Sequence, residues 1–394
     1  MQIPPLRYQI NTTSFKHYWE EGTGKQLLTK HQLNLTIDDS RKFIPLLFET
    51  DETTDTVNRY LFKDCSVKEG FQKIDSLLDN GPQPDDPDFI HDYFRQVYER
   101  PDWMNPELIN QGAALCQRGG INSFMVLRNY ALMGGYESAA INKPLIATGA
   151  LQKGAVKRLA ETVDFWLNIT GTNALTDKNE GIRSVLKTRF IHSFSRLYIL
   201  DNTEWEDAKW GKPLNNWDML ATNLGFSIVF ITGLQKMHLD PSSEEIKGLF
   251  HLWKYVGYLL GIPLNLLPDN EQEAIEQLYY WTMTQSAADE DSISLATALY
   301  NESLQLKKPA VHLFKKILQQ THLACNYHML GAYSCQSLQL PAPSLTFFYR
   351  QNLQINKRRM KKIFRSASAY QQQCKKGRKQ QIKIVSDYFK YNLR

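Results

Sequence analysis

From Val67 onward apolar residues recur at helical spacing, and runs of alternating β-branched residues are nearly absent. This pairing constrains the fold more than any other feature. A 3.6-residue period buries one stripe of a helix, and a chain without two-residue alternation offers no half-buried strands. Asp86-Pro87-Asp88 reads as a cap with proline near the first turn, and Phe89, Tyr93 and Val97 repeat at i+4 behind it. Asn105-Pro106-Glu107 opens another helix in the same way. Helices are expected at 106–118, 121–134, 143–169, 179–199, 215–236, 242–260, 269–286, 289–306 and 309–330. Gly134-Gly135, Gly211-Lys212-Pro213, Gly261-Ile262-Pro263 and Pro341-Ala342-Pro343 punctuate them. The expected fold is all-α, with one large helical domain over 56–349.

The two ends differ from this domain. Residues 1–55 are mostly polar, and their one clear apolar run, Phe43 to Phe48, is interrupted by Pro45. An irregular N-terminal arm is expected there. Residues 350–394 carry fourteen Lys/Arg against one acid, Asp387, with Phe364, Tyr370, Tyr388 and Phe389 interleaved. Two readings of this basic helical tail stand side by side: a solvated helix face, or an electrostatic foot for an anionic membrane surface. No nucleic-acid fold signature accompanies the charge, so no specific nucleic-acid partner is expected.

Composition excludes several classes. With 42% hydrophobic and 12% aromatic residues, the 394-residue chain is a folding sequence rather than a disordered one. Its five cysteines are widely spaced and contain no CxxC, which fits reduced thiols and gives no zinc or iron–sulfur pattern. The N-terminus shows no apolar signal core, and the longest apolar run, near 224–231, is too short to span a bilayer. A cytoplasmic protein is expected, peripheral to a membrane if the tail acts as a foot.

The chemistry-bearing pattern lies in Lys187-Thr188-Arg189-Phe190-Ile191-His192-Ser193-Phe194-Ser195-Arg196. Spacings of three and four share a helix face, so Arg189 and Arg196 flank His192 on one stripe. Two guanidiniums oppose protonation of the imidazole and leave it available as a donor ligand. Their forks also match carboxylates. An axial iron ligand beside partners for two propionates has this form, so a haem site is the sharp hypothesis. The plainer reading is a hydrogen-bonded histidine between arginines that solvate the helix or pair elsewhere.

A second pair precedes it. Arg158 and Thr162 are i and i+4, so a guanidinium and a hydroxyl share a face that could steady dioxygen or substrate. The plainer reading is a surface arginine and a threonine bonded to its own backbone. Trp210-Gly211-Lys212-Pro213 turns into a helix that brings Thr222 to an otherwise apolar face. No Glu-x-x-His pair, His-Glu-x-x-His helix, GxSxG elbow or P-loop occurs, so di-iron, zincin, hydrolase and nucleotide readings fall away.

In order along the chain, several weak signatures resemble one family. They are Arg100-Pro101-Asp102-Trp103 with Gly112, then Thr148-Gly149 with Arg158-x-x-x-Thr162. Arg189-x-x-His192-x-x-x-Arg196 follows. Trp210-Gly211-x-Pro213-x-Asn215 with Thr222 and Phe226 comes next, and Gly257-x-x-Leu260-Gly261-Ile262-Pro263 last. Together they resemble the superfamily of the latex clearing protein, a rubber oxygenase, and the fungal mycophenolic-acid-pathway oxygenase. The resemblance implies a globin-like core holding haem b. His192 would be the proximal ligand, with Arg189 and Arg196 beside the haem and Arg158 and Thr162 on the distal side. Rubber oxygenases carry Lys immediately before that Thr, whereas this chain has Glu161. A carboxylate cannot be the same cationic donor, so a substrate other than rubber is expected, with Glu161 as a base or proton relay. Its plainer role is an exposed pair with Lys157 or Arg158. The expected activity is haem-dependent activation of dioxygen to oxidise or cleave an apolar unsaturated, isoprenoid or lipid-like molecule. The alternative is a non-catalytic haem-binding or helical interaction protein docked to an anionic surface by its tail.

Overall fold

The computed structural model describes residues 3–10, 12–176, 179–308 and 311–392, and among them every regular element is helical. Local chemistry fixes many of the starts. The Asn105 side chain accepts from the amides of Glu107 and Leu108, with Pro106 in the first turn of Pro106–Arg118. Ser66 with Glu69, and Ser242 with Glu245, form reciprocal capping boxes ahead of Val67–Asn80 and Ser243–Leu259. In Asp88–Tyr98 the buried face is Ile90, Tyr93, Phe94 and Val97, and Phe89 turns outward.

Two expected long helices are divided. The 143–169 stretch becomes Ala139–Ala147, Ala150–Lys153 and Ala155–Ile169. Gly149 and Gly154, at φ of 75° and 77°, supply left-handed joints that other residues rarely adopt. The 215–236 stretch bends at Ser227 into Asn216–Phe226 and Ile228–Lys236. Taken whole, Asn216–Lys236 is long and apolar enough to cross a membrane, longer than the 224–231 run suggested, with mean hydropathy 1.3. It packs inside the protein, and 67% of its apolar window is buried. The beginning of the expected 309–330 helix lies outside the described residues; the helix is observed over His312–Leu330.

The core is built on close helix crossings. Pro106–Arg118 and Ser243–Leu259 meet through two glycines: a Cβ on Gly248 would lie 2.6 Å from the Gly112 nitrogen. Only hydrogen fits at such a crossing, so backbones approach and the flanking Ile109, Leu115, Leu252 and Val256 interlock.

The N-terminal arm corrects the expectation of irregular structure. It folds as Thr13–Glu20, Thr23–Lys30, a 3-10 stretch Ile37–Leu47 and the helix Glu52–Leu61. Trp19, Leu27, Ile44, Leu47 and Val57 enter the core. Arg7 is 3% exposed and makes a two-pronged pair with Asp218, at 2.6 and 2.8 Å. It also donates to Gln285 at 2.8 Å, while Trp281 Nε1 donates to Asp218 at 3.1 Å. The arm looked irregular because its anchors are isolated polar residues whose partners lie over two hundred positions away.

The C-terminal segment is likewise part of the body. Phe347–Ile363 and Ala367–Asn392 are its helices, and the first starts ahead of the expected boundary at 350. The second lies along Pro106–Arg118 and Ala155–Ile169. Gly377 sits against the Gln117 carbonyl with no room for a Cβ. Gln381 donates to the carbonyls of Cys116 and Gly120 at 2.9 and 3.1 Å, and Gln373 to that of Arg118 at 2.9 Å. Two tyrosines act as latches. Tyr370 donates to Glu245, the partner of Arg118, at 2.7 Å; Tyr388 donates to Glu302, the partner of Arg128, at 2.5 Å. Arg378, one of the tail's cations, is spent inside on Thr170 Oγ1 and the Leu167 carbonyl.

Candidate functional site

The helix Glu180–Asn202 carries the stripe. Its buried residues, Ile182, Val185, Leu186, Phe190 and Ile199, set its rotation in the body. Phe190 packs between Tyr93 and Phe94, and its carbonyl accepts from the Asn58 amide at 2.9 Å. Arg189, His192 and Arg196 are thereby turned toward Glu52–Leu61 and the start of Asn216–Phe226.

Both arginine forks are occupied by the protein's own carboxylates. Arg189 Nε and Nη2 donate to Asp51 at 2.6 and 2.8 Å. Arg196 Nε and Nη2 donate to Asp55 at 2.9 and 2.6 Å, and Ser193 Oγ donates to the same carboxylate at 2.6 Å. The remaining Nη1 atoms go to the carbonyls of Leu259 and Leu214. Arg189 also lies 5.4 Å from the centre of the Tyr93 ring. Burial alone would push the Asp51 carboxyl up, but the hydrogen bonds and charge of Arg189 hold it below the usual carboxylate range. The expected partnership of these forks with two propionates is therefore replaced by bidentate pairs across two helices. Asp51 and Asp55 are one turn apart and the arginines two, so the long arginine side chains converge on the carboxylates and neither fork is left free.

Among the described residues, His192 is the member of the stripe whose buried ring nitrogen, Nδ1, has no hydrogen-bond partner. It is half-buried, and its Nδ1 is sealed from solvent and makes no hydrogen bond. Burial first, and the Arg196 charge second, lower its pKa to about 4, with the Asp51 charge opposing. The ring is neutral at physiological pH, as a metal-donor imidazole must be. A cavity of about 10 Å³ lies against it, lined by Arg189, Arg196, Leu214, Asn216, Met219 and Gly261 among others. A second cavity of about 240 Å³ shares Arg189, Gly261 and Ile262 with the first. Gly261, at φ 84°, closes the pair: a Cβ there would fall 2.6 Å from Asp51 Oδ2 and 2.8 Å from Arg189 Nε.

The other expected residues stand apart from this cluster. The 210–222 segment brings Asn216 and Met219 to the His192 cavity. Thr222, one turn beyond Met219, is exposed and donates to the Asp218 carbonyl at 3.0 Å. Ala155–Ile169 packs beside Glu180–Asn202, but Arg158 Nη1 reaches Tyr136 Oη at 3.5 Å and Thr162 donates back to the Arg158 carbonyl at 2.9 Å. Glu161 is exposed and pairs with Lys157 at 3.9 Å. Thus Arg189, His192 and Arg196 are gathered, while Arg158, Glu161 and Thr162 form a separate group one helix away. Asp51 and Asp55 were missed in the sequence, and Gly261 was named there only as a turn and a family marker. The available signal was two carboxylates at i and i+4, set in a segment that looked irregular.

Among the described residues, no group of three or more His, Cys, Asp or Glu side chains is placed to hold a bare metal ion. A porphyrin iron makes a smaller demand, since one axial protein donor suffices, and the unpartnered His192 has the chemistry of that donor.

The helical architecture is similar to that of a solved structure, latex clearing protein in the closed state. The TM-score is 0.60 at 14% identity, over 79% of this chain and 91% of that one. Residues 119–352 match the family described as ER-bound oxygenase mpaB/B'/rubber oxygenase, catalytic domain. The chain belongs to that family and carries its oxygenase-type catalytic domain. No curated protein matches it.

Proposed function

We propose that the protein is a haem b-dependent oxygenase acting on an apolar unsaturated substrate of isoprenoid or lipid-like chemistry. The observation that carries this reading is His192, a neutral imidazole with an unpartnered buried nitrogen between two immobilised arginines, inside an oxygenase-family domain. When bound, haem would supply the dioxygen-activating redox chemistry.

The chain's own residues do the rest. His192 would hold the iron. Arg189 and Arg196, locked by Asp51 and Asp55, fix the rotation of the helix, and burial with the Arg196 charge keeps the ring unprotonated. They are positioning residues in this reading rather than propionate clamps. Met219 would face the cofactor from Asn216–Phe226, with Thr222 one turn beyond it and outside the cavity lining. Arg158 would offer a cationic donor to the substrate side, and Thr162 a hydroxyl once its bond to the Arg158 carbonyl opens. Glu161 serves as proton acceptor once its exposed pair with Lys157 opens, which costs little at a surface. Five free cysteines support a reducing, cytoplasmic setting.

A second reading, haem binding without turnover, is favoured by one observation: Glu161 points to solvent and Thr162 to its own helix backbone. Dioxygen uptake separates the two. The haem-loaded protein is given dispersed squalene, with polyisoprene latex as the poorer substrate. Substrate-dependent uptake is expected. Arg158→Ala or Thr162→Val should slow it by about tenfold to hundredfold at unchanged haem content. Bound haem with uptake no faster than in the absence of substrate would leave the carrier reading.

A further inference from the structure

Two segments distant in sequence meet at one corner of the molecule. The Lys307 amide donates to Asn392 Oδ1 at 2.6 Å, and Lys308 Nζ stands 3.7 Å from the centre of the Tyr391 ring. The Lys307–Lys308 bend, a few positions ahead of His312–Leu330 in sequence, thereby meets the end of Ala367–Asn392. This corner gives apolar surface to water: Leu313 is 65% exposed, Phe314 59%, Val311 56% and Phe389 39%. Scattered apolar residues are ordinary on a protein surface, but several large ones at one helix start form a patch.

Cations accompany these apolar residues. Among the described residues, Lys308, Lys315, Lys316 and Lys390 form no ion pair with a carboxylate; Lys308 and Lys390 flank the Tyr391 ring, and Lys315 reaches only the Leu304 carbonyl, at 3.5 Å. The nearby acid of the C-terminal helix, Asp387, is taken by Lys383 at 3.1 Å. The surface also continues along the helix. Leu313, Lys316 and Gln320 share one stripe, and Gln320 accepts from the amide and hydroxyl of Ser344 at 2.9 and 3.0 Å. Three residues beyond Ser344 come Phe347 and Phe348, 57% and 45% exposed.

We propose that this corner, centred on Val311–Lys316 and Phe389–Tyr391, seats the protein on an anionic lipid bilayer. Leucine and phenylalanine would enter the headgroup–acyl boundary while the lysine stems reach up to acidic headgroups. Charge selects the occupant. In a two-fold pairing of copies through the same patch the four lysines would face their own equivalents, and such repulsion disfavours a dimer. A negatively charged surface removes that penalty. The inference is independent of the cofactor, and it narrows the tail-wide charge of residues 350–394 to a site formed mainly outside it.

The test is co-sedimentation of the full chain with phosphatidylcholine vesicles, with and without about a third phosphatidylserine. Binding is expected only with phosphatidylserine, weakening as salt shortens the screening length. Lys315→Gln/Lys316→Gln should lower partitioning about thirtyfold, at about fivefold per lysine. Leu313→Ser/Phe314→Ser should lower it at least roughly tenfold. Both variants should keep the wild-type melting transition, because Leu313, Phe314 and Lys316 are exposed and half-buried Lys315 gives up only its 3.5 Å contact with the Leu304 carbonyl. Lys361→Gln/Lys362→Gln, also exposed but on the neighbouring helix, should bind as wild type. Equal binding by all variants, no binding by the wild type, or loss of a solution dimer in Leu313→Ser/Phe314→Ser without any vesicle binding would overturn the proposal.

Discussion

His192→Ala is expected to purify with less than about a tenth of the haem held by the wild-type chain, while its fold survives. In the proposed reading His192 would hold the iron, so its loss would remove the strongest single contribution to haem retention. The structural cost is small. His192 Nδ1 makes no hydrogen bond, so truncation orphans no partner. The Arg189–Asp51 and Arg196–Asp55 pairs close on each other without it. The haem-to-protein ratio after gel filtration measures the loss, and free imidazole added to the variant should restore much of the wild-type spectrum. Stoichiometric haem with an unaltered spectrum in His192→Ala would mean that another residue is the donor.

The second large effect is on stability. Asp55→Ala should cost about 3–5 kcal/mol in a urea titration, the usual result of stranding one member of a buried ion pair. Arg196 is 2% exposed, and Asp55 accepts its two prongs and the Ser193 hydroxyl. The double variant Asp55→Ala/Arg196→Leu should regain most of that loss, because it removes the stranded charge and refills its volume. If Asp55→Ala costs under about 1 kcal/mol, the pair does not anchor the stripe helix to the N-terminal arm.

The contrast between the two experiments shows which kinds of contact a sequence displays. The stripe Arg189, His192, Arg196 was legible because three- and four-residue spacings are local geometry. Its partners were not: Asp51 and Asp55 lie 138 and 141 positions away. The all-α class was legible from periodicity and from caps such as Asn105-Pro106 and Ser242 with Glu245. The breaks at Gly149 and Gly154 follow from residue type, but the bend at Ser227 has no comparable signal. The arm and tail were the least legible parts. Their composition is polar, and they are held by Arg7, Tyr370, Gln373, Gln381 and Tyr388, whose hydrogen bonds reach across the fold. Charge counting identified the tail as unusual, while exposed Leu313 and Phe314 of the proposed corner sit on a different helix.

The most direct measurement is the absorption spectrum of the purified full-length chain after haem reconstitution and gel filtration. Stoichiometric haem with a Soret band is expected, and a reduced form whose band shifts on exposure to carbon monoxide. Haem that separates from the protein on the column, leaving no Soret band with the chain, would contradict the haem reading.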